Sequence, residues 1–257
     1  EVVWDHGGAD TNESVEVAAN PAAVHPPGTS DTVLVNLSAY TLVEIDGTTD
    51  PGGILHVFPV GTTNGSGFWS TGYLTSTLEK PTFTIVLVSG FTGAVGDDLD
   101  AGNDGVLDAT PWTSLTDGVA FSDGSAGART YAAPVLGPGY DGIGGEPGGA
   151  SRFPYWTDTE SVTDWKRNDF DGDGLPGFTG TLAAGEARNT PAGVTRVALE
   201  DYYAGVDSSS QAGLRSSLHG RIGNHIRYPY FSSSTDTWNS RFFVVSCGQT
   251  VVRKRHP

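Results

Sequence analysis

Six aspartates stand where a hard cation could use them. The stretch "DFDGDG" places Asp169, Asp171 and Asp173 at alternate positions and follows them with Gly174. Alternate carboxylates can converge on calcium, and a glycine in sixth place lets the chain turn sharply, so this is the first half of a calcium loop. A full loop ends on a bidentate Glu in twelfth place; here that position is Gly180. The stretch "DDLDAGNDGVLD" repeats the theme with Asp100, Asp104 and Asp108 at ligand spacing, Gly105 at the turn and Gly102 where a third ligand would stand. Asp97, Asp98 or Asn103 are the substitutes within reach. Structural calcium at both stretches is the expectation, and a solvated Gly/Asp turn is the alternative.

Catalytic chemistry has little to work with. A general acid or base needs paired carboxylates in an apolar pocket, or a His beside an orienting acid. The aspartates sit in Gly-rich turns, and the spacing of His6, His25, His56 and His256 suggests neither a triad nor a zinc site. Surface or packing roles are expected for these histidines. No G-x-S-x-G elbow, phosphate-cradling Gly loop followed by Lys, or H-E-x-x-H occurs. No catalytic or cofactor-binding residue is therefore expected.

The elements around these turns read as β-strands from Glu1 to about Pro191. "TVLVNLSAYTLVEIDG" contains two alternating runs, Val33 to Asn36 and Thr41 to Asp46, and "GILHVFPV" follows. "PTFTIVLVSGF" is β-branched, short and bounded by Pro81 and Gly90, which predicts a central strand. "LTDGVAFSDG" and "RTYAAPVL" add further strands. Between them lie Gly/Pro/Asp clusters, as in a β-sandwich. A Gly-rich stretch from Gly137 to Gly193 carries Tyr140, Phe153, Tyr155, Trp156, Trp165 and Phe178, so it is expected to pack down on a sheet rather than to run free. Beyond Val194 the pattern changes. Leu214, Leu218, Ile222 and Ile226 form one apolar stripe, predicting a helix over Ser208 to Ile226.

Composition agrees with a mainly β chain: 36 Gly among 257 residues, no Met, and 17% charged residues. The formal net charge of −16 opposes binding to nucleic acid. It is unevenly spread. Glu1 to Ala204 holds 7 of the 14 basic and 28 of the 30 acidic residues, whereas Gly205 to Pro257 holds the other 7 basic residues with only Asp207 and Asp236. The lone Cys247 rules out an internal disulfide framework. No apolar run approaches the roughly 20 residues of a membrane span. Asn12, Asn36 and Asn64 each open a glycosylation-type triplet. The absence of an initiator Met and the strand-like start read as a secreted chain without its signal peptide.

Two resemblances refine this. "VLVSGFTGAVGDDLDAGNDGVLDATPWTSLTDGVAF", "GGASRFPYWTDTESVTDWKRNDFDGDGLPG" and "GEARNTPAG" resemble lamin-tail-like β-sandwich domains of secreted bacterial proteins, over residues 1–193. That resemblance implies an immunoglobulin-like, non-catalytic sandwich with long Gly-rich loops. Tyr202, Tyr203, Leu214, Leu218, His219, Ile222, His225 and "YPYFSSSTDTW" resemble the start of endonuclease I-type secreted nucleases, over residues 194–239. The catalytic segment of that family lies further along, and the atypical tail 240–257, "SRFFVVSCGQTVVRKRHP", does not resemble it. The expectation is a secreted structural or association protein; exchange of edge-type end strands such as "VVW", "RFFVVSC" or "TVV" would build a filament, and a monomer with docked ends is the alternative. Fragmentary nuclease action and carbohydrate binding through Trp156, Trp165, Trp238 and loop tyrosines are the alternatives. Self-association is the expected partnership, with a glycan as second candidate.

Overall fold

The computed structural model describes residues 1–7, 10–19, 34–78, 81–145, 147–153 and 157–192. The chain divides into two units, Glu1–Gly205 and Val206–Pro257, and every described residue belongs to the first. The expected helix over Ser208 to Ile226, the nuclease-like positions, Cys247 and the strands of the tail lie outside the described residues, as do His25, Tyr155, Trp156, Trp238 and His256.

The described chain is mainly β, built as two mixed sheets. Twelve strands follow in order: β1 (Val2–Val3), β2 (Thr11–Ala18), β3 (Tyr40–Asp46), β4 (Ile54–Pro59), β5 (Phe68–Ser70), β6 (Leu74–Thr75), β7 (Phe83–Ser89), β8 (Ser114–Phe121), β9 (Val135–Leu136), β10 (Gly149–Arg152), β11 (Trp165–Asn168) and β12 (Glu186–Ala187). One sheet has the order β12-β11-β10-β1-β2-β5, with β6 also on β2; the other runs β4-β3-β7-β8-β9. Pairing is antiparallel except for β11 with β12 and β8 with β9.

Side-chain alternation explains the layers. Leu42, Phe83, Ile85, Val119 and Phe121 of the second sheet meet Val2, Val15, Ala150 and Trp165 of the first in one buried cluster. The opposite face of the second sheet is also covered. Val43, Ile45, Val86 and Val88 pack there with Leu99, Leu107, Trp112 and Tyr131. A strand buried on both faces has no polar side to show, which is why Phe83–Ser89 reads as an unbroken apolar run. It lies between β3 and β8, the central position the sequence predicts.

Three sequence expectations change. "VVW" was expected as an edge strand, yet β1 is central, with Val2 opposite both Ala150 and Val15. The Gly-rich stretch 137–193, expected to be loop, contributes β10, β11 and β12. Trp165, a candidate sugar platform, is buried in β11 with the Arg152 guanidinium over its ring at 5.0 Å.

Arg167 accounts for the folding-down of that stretch. Its guanidinium grips Asp141 through Nε at 2.6 Å and Nη2 at 2.9 Å, and Nη2 also donates to the Ile143 carbonyl at 2.8 Å. The buried fork thus fastens a loop that has little apolar surface of its own. Tyr140 beside it packs on the core, and burial with the neighbouring Asp141 charge pushes its phenol up.

Candidate functional site

The segment Glu1 to His6 is engaged along its whole length. Val2 and Val3 are buried in β1 between two strands. Trp4 then leaves the sheet and enters the layer between the sheets. Its ring lies 5.5 Å from Phe83 at 80°, the edge-to-face geometry aromatic pairs favour, and 4.1 Å from Phe121 in a tilted contact. The amides of Trp4 and Asp5 both donate to the Gly148 carbonyl, at 3.0 and 2.7 Å. His6 is buried, with Nε2 2.6 Å from the Thr11 carbonyl and its ring edge-on to Phe178. That contact places the ring proton on Nε2 and gives His6 the packing role expected of it.

Glu1 closes the other end. Its carboxylate accepts from the Thr190 amide at 2.9 Å, the Thr190 hydroxyl at 3.0 Å and the Ser151 hydroxyl at 2.8 Å. Burial pushes this carboxyl upward, against the donors that favour its charge. The segment is therefore a plug, clasped at Glu1, paired on both edges through Val2 and Val3, and anchored by Trp4.

The aspartate loops close on themselves. Asp100 is fully buried. Its Oδ1 accepts from the Asp104 amide at 3.1 Å, and its Oδ2 from the Gly105 amide at 2.8 Å and the Tyr131 hydroxyl at 2.9 Å. Burial alone would raise this carboxyl; the three donors outweigh it and hold it below the usual carboxylate range. Gly105 sits at φ +90°, the left-handed turn that favours glycine. Asp104 and Asp108 are exposed. In the second loop Asp169 is buried and accepts from the amides of Asp171 and Asp173. Asp173 pairs with Arg188 at 3.4 Å, and Asp171 faces solvent. The Asn189 amide ties the loop down by donating to the carbonyls of Asp169 and Asp173. Gly180, the twelfth position, packs directly on the Asp169 carboxylate, so that any side chain there would collide with it. Each loop thus has one inward hub, and among the described residues no three His, Cys, Asp or Glu side chains gather to hold a metal.

Sequence reasoning missed one pair. Glu44 and His56 are opposite each other across β3 and β4, and Nδ1 lies 2.8 Å from a carboxylate whose side chain is fully buried. The only signal was their symmetric placement about the "DGTTDPGG" connection. Arg152 is likewise unsignalled. It reaches across from β10 to Asp117 of β8 with both terminal nitrogens, at 3.0 and 2.9 Å, and so clasps the two sheets together.

Among the glycosylation-type triplets, Asn36 is exposed and accepts from the Ser38 amide. Asn12 lies on β2 with Ser14 buried behind it. Asn64 spends its amide oxygen on its own turn and its amide nitrogen on the Ala192 carbonyl. Among the described residues no helix is long and apolar enough to cross a membrane. No family model, curated protein or solved structure matches the chain.

Proposed function

We propose that the chain is a non-catalytic, secreted structural protein with an immunoglobulin-like sandwich, and that it associates with its own copies by exchanging the Glu1–His6 segment. The observation that carries this reading is the position of β1. One sheet is continuous only because Val2–Val3 fills the slot between β10 and β2. Burying a Val or Trp side chain is worth roughly 1.5–3 kcal/mol, so an empty slot is strongly disfavoured. A neighbour's Glu1–His6 would restore every one of these contacts, and exchange of an identical element costs little beyond association itself. Each copy would donate one segment and accept another. Such head-to-tail contacts extend into a filament unless the rotation closes a ring.

Val2 and Ala150 are cross-strand partners, which provides the test. In a Cys247→Ser background, Val2→Cys combined with Ala150→Cys will trap whichever copy supplies β1. Exchange yields a ladder of disulfide-linked multimers on a non-reducing gel and fibres by electron microscopy. A single monomer band, from material of monomeric mass at every concentration, would overturn the proposal.

Calcium is a separate proposal, resting on the aspartate spacing at Asp100–Asp108 and Asp169–Asp173. Because each hub carboxylate already accepts the chain's own donors, the loops stay closed without the ion, and calcium would enter as a stabilising guest. A bound ligand raises stability by RT ln(1 + [L]/Kd). Millimolar calcium is then expected to raise Tm relative to the chelated protein, and an unchanged Tm would remove calcium from the account.

A further inference from the structure

One cleft on the described surface belongs to none of the features above. It has a volume of about 390 Å³ and lies between the turn preceding β5, the β5–β6 connection and the Pro191–Ala192 segment. Ligand sites run from about 300 to 1,000 Å³, so the volume suits a small ligand. Its aromatic members are Phe68, which is buried, Trp69, half-buried on β5, and Tyr73, 48% exposed. Among the described residues only Tyr73 and Phe170 are exposed aromatics, while Trp69 also packs against the core. The remaining functional groups are neutral: the hydroxyls of Thr62, Thr63 and Ser70 and the amide of Asn64. Among the described residues no Asp, Glu, Lys or Arg lines the cleft, in a chain with 30 acidic residues.

The walls are fixed from within. Asn64 Oδ1 accepts from the amides of Ser66 at 2.9 Å and Phe68 at 3.1 Å, and its Nδ2 donates to the Ala192 carbonyl at 2.9 Å. One side chain thus sets the turn and holds the opposite wall. Ser70 Oγ accepts from the Gly72 amide at 3.1 Å, shaping the approach to Tyr73. The Trp69 indole lies over Gly61, where an added Cβ would stand 3.1 Å from Nε1. Such preorganisation lowers the cost of binding, since little remains to be ordered when a ligand arrives.

We infer that this cleft is a binding site for a neutral saccharide. A sugar ring offers a C–H face that stacks on aromatic rings, and a rim of uncharged hydroxyls that pair with hydroxyl and amide groups. Trp69 and Tyr73 supply the first, and Thr62 and Ser70 the second. An anionic sugar finds no cation among the described lining residues, and an oily ligand would leave those polar groups unmatched. This moves saccharide recognition away from Trp165, which is buried, and it stands independently of strand exchange. An extracellular filament carrying one such cleft per copy would bind a polysaccharide multivalently, with effective affinity raised through linked sites.

Affinity electrophoresis tests the inference. The full chain is run through native gels containing dextran, laminarin, xyloglucan or galactomannan, beside plain and alginate-containing gels. At least one neutral polysaccharide is expected to retard the protein, and alginate is not. Tyr73→Ala is expected to lose at least tenfold in affinity with Tm unchanged, because the side chain is exposed. Gly61→Ala presses on the Trp69 ring without altering any lining hydroxyl and is expected to weaken binding as well. Failure of all four neutral polymers to retard the wild-type chain overturns the inference. Retardation that survives both substitutions in full overturns it equally, since the site would then lie elsewhere.

Discussion

Glu13 lies on β2 at 1% exposure, with Oε2 accepting from the amides of Thr77 at 2.8 Å and Leu78 at 3.0 Å. Burial, reinforced by Asp10, pushes its carboxyl up from 4.5 to about 7 despite those two donors. The consequence has a definite sign. Below about pH 4.5 the group is protonated whether the chain is folded or not, and its contribution to stability is complete. Between 4.5 and about 7 only the folded chain keeps the proton, so that contribution declines as pH rises and is gone above about 7. Glu13→Gln keeps a carbonyl acceptor for the two amides and removes the titration. Thermal unfolding from pH 4.5 to 8 is expected to show the wild type losing Tm relative to Glu13→Gln as pH rises.

At the scale of elements, the Gly137–Gly148 loop depends on one cation. The side chains of Arg167 and Asp141 are each 8% exposed, and removing one partner of a buried pair typically costs about 3–5 kcal/mol. Arg167→Ala is therefore expected to lower Tm and to open this loop to protease, with the first cleavage mapped between Gly137 and Gly148 by mass spectrometry. The same comparison shows what the sequence disclosed. β3, β4, β7 and β8 were legible because Leu42, Val43, Ile45, Val86 and Val88 carry their burial in apolar side chains. β10 and β11 were hidden because "GASR" and "WKRN" are held by hydrogen bonds and guanidinium groups, whose partners lie far along the chain. The turn chemistry of the aspartate loops was visible in the spacing, and Gly105 takes the left-handed conformation expected of it. That only one carboxylate per loop turns inward could not be read there, since it depends on Tyr131 and Asn189. The Trp69–Tyr73 cleft was invisible for the same reason: Asn64 and Ala192 are brought together from 128 positions apart.

For the whole molecule, the net charge of −16 sets the conditions for association. Copies of such a chain repel one another at low ionic strength, and salt screens that repulsion with a Debye length of about 10 Å at 0.1 M. Multimer formation is therefore expected to rise between about 20 mM and 0.5 M sodium chloride, as read by light scattering at fixed protein concentration. Electrostatically driven docking would show the reverse trend. The seating of β1 has one more consequence, and it concerns time. Val2 is registered against Val15 on one side and against Ala150 on the other. The second of these neighbours is made long after the first, so during synthesis Val2 and Val3 have only one of their two partner strands. Contacts between such distant positions slow folding, since the chain must search before any reward arrives. On the proposed exchange, this is the interval in which a neighbour's strand would compete for the groove, so kinetics would set the outcome before equilibrium has any say.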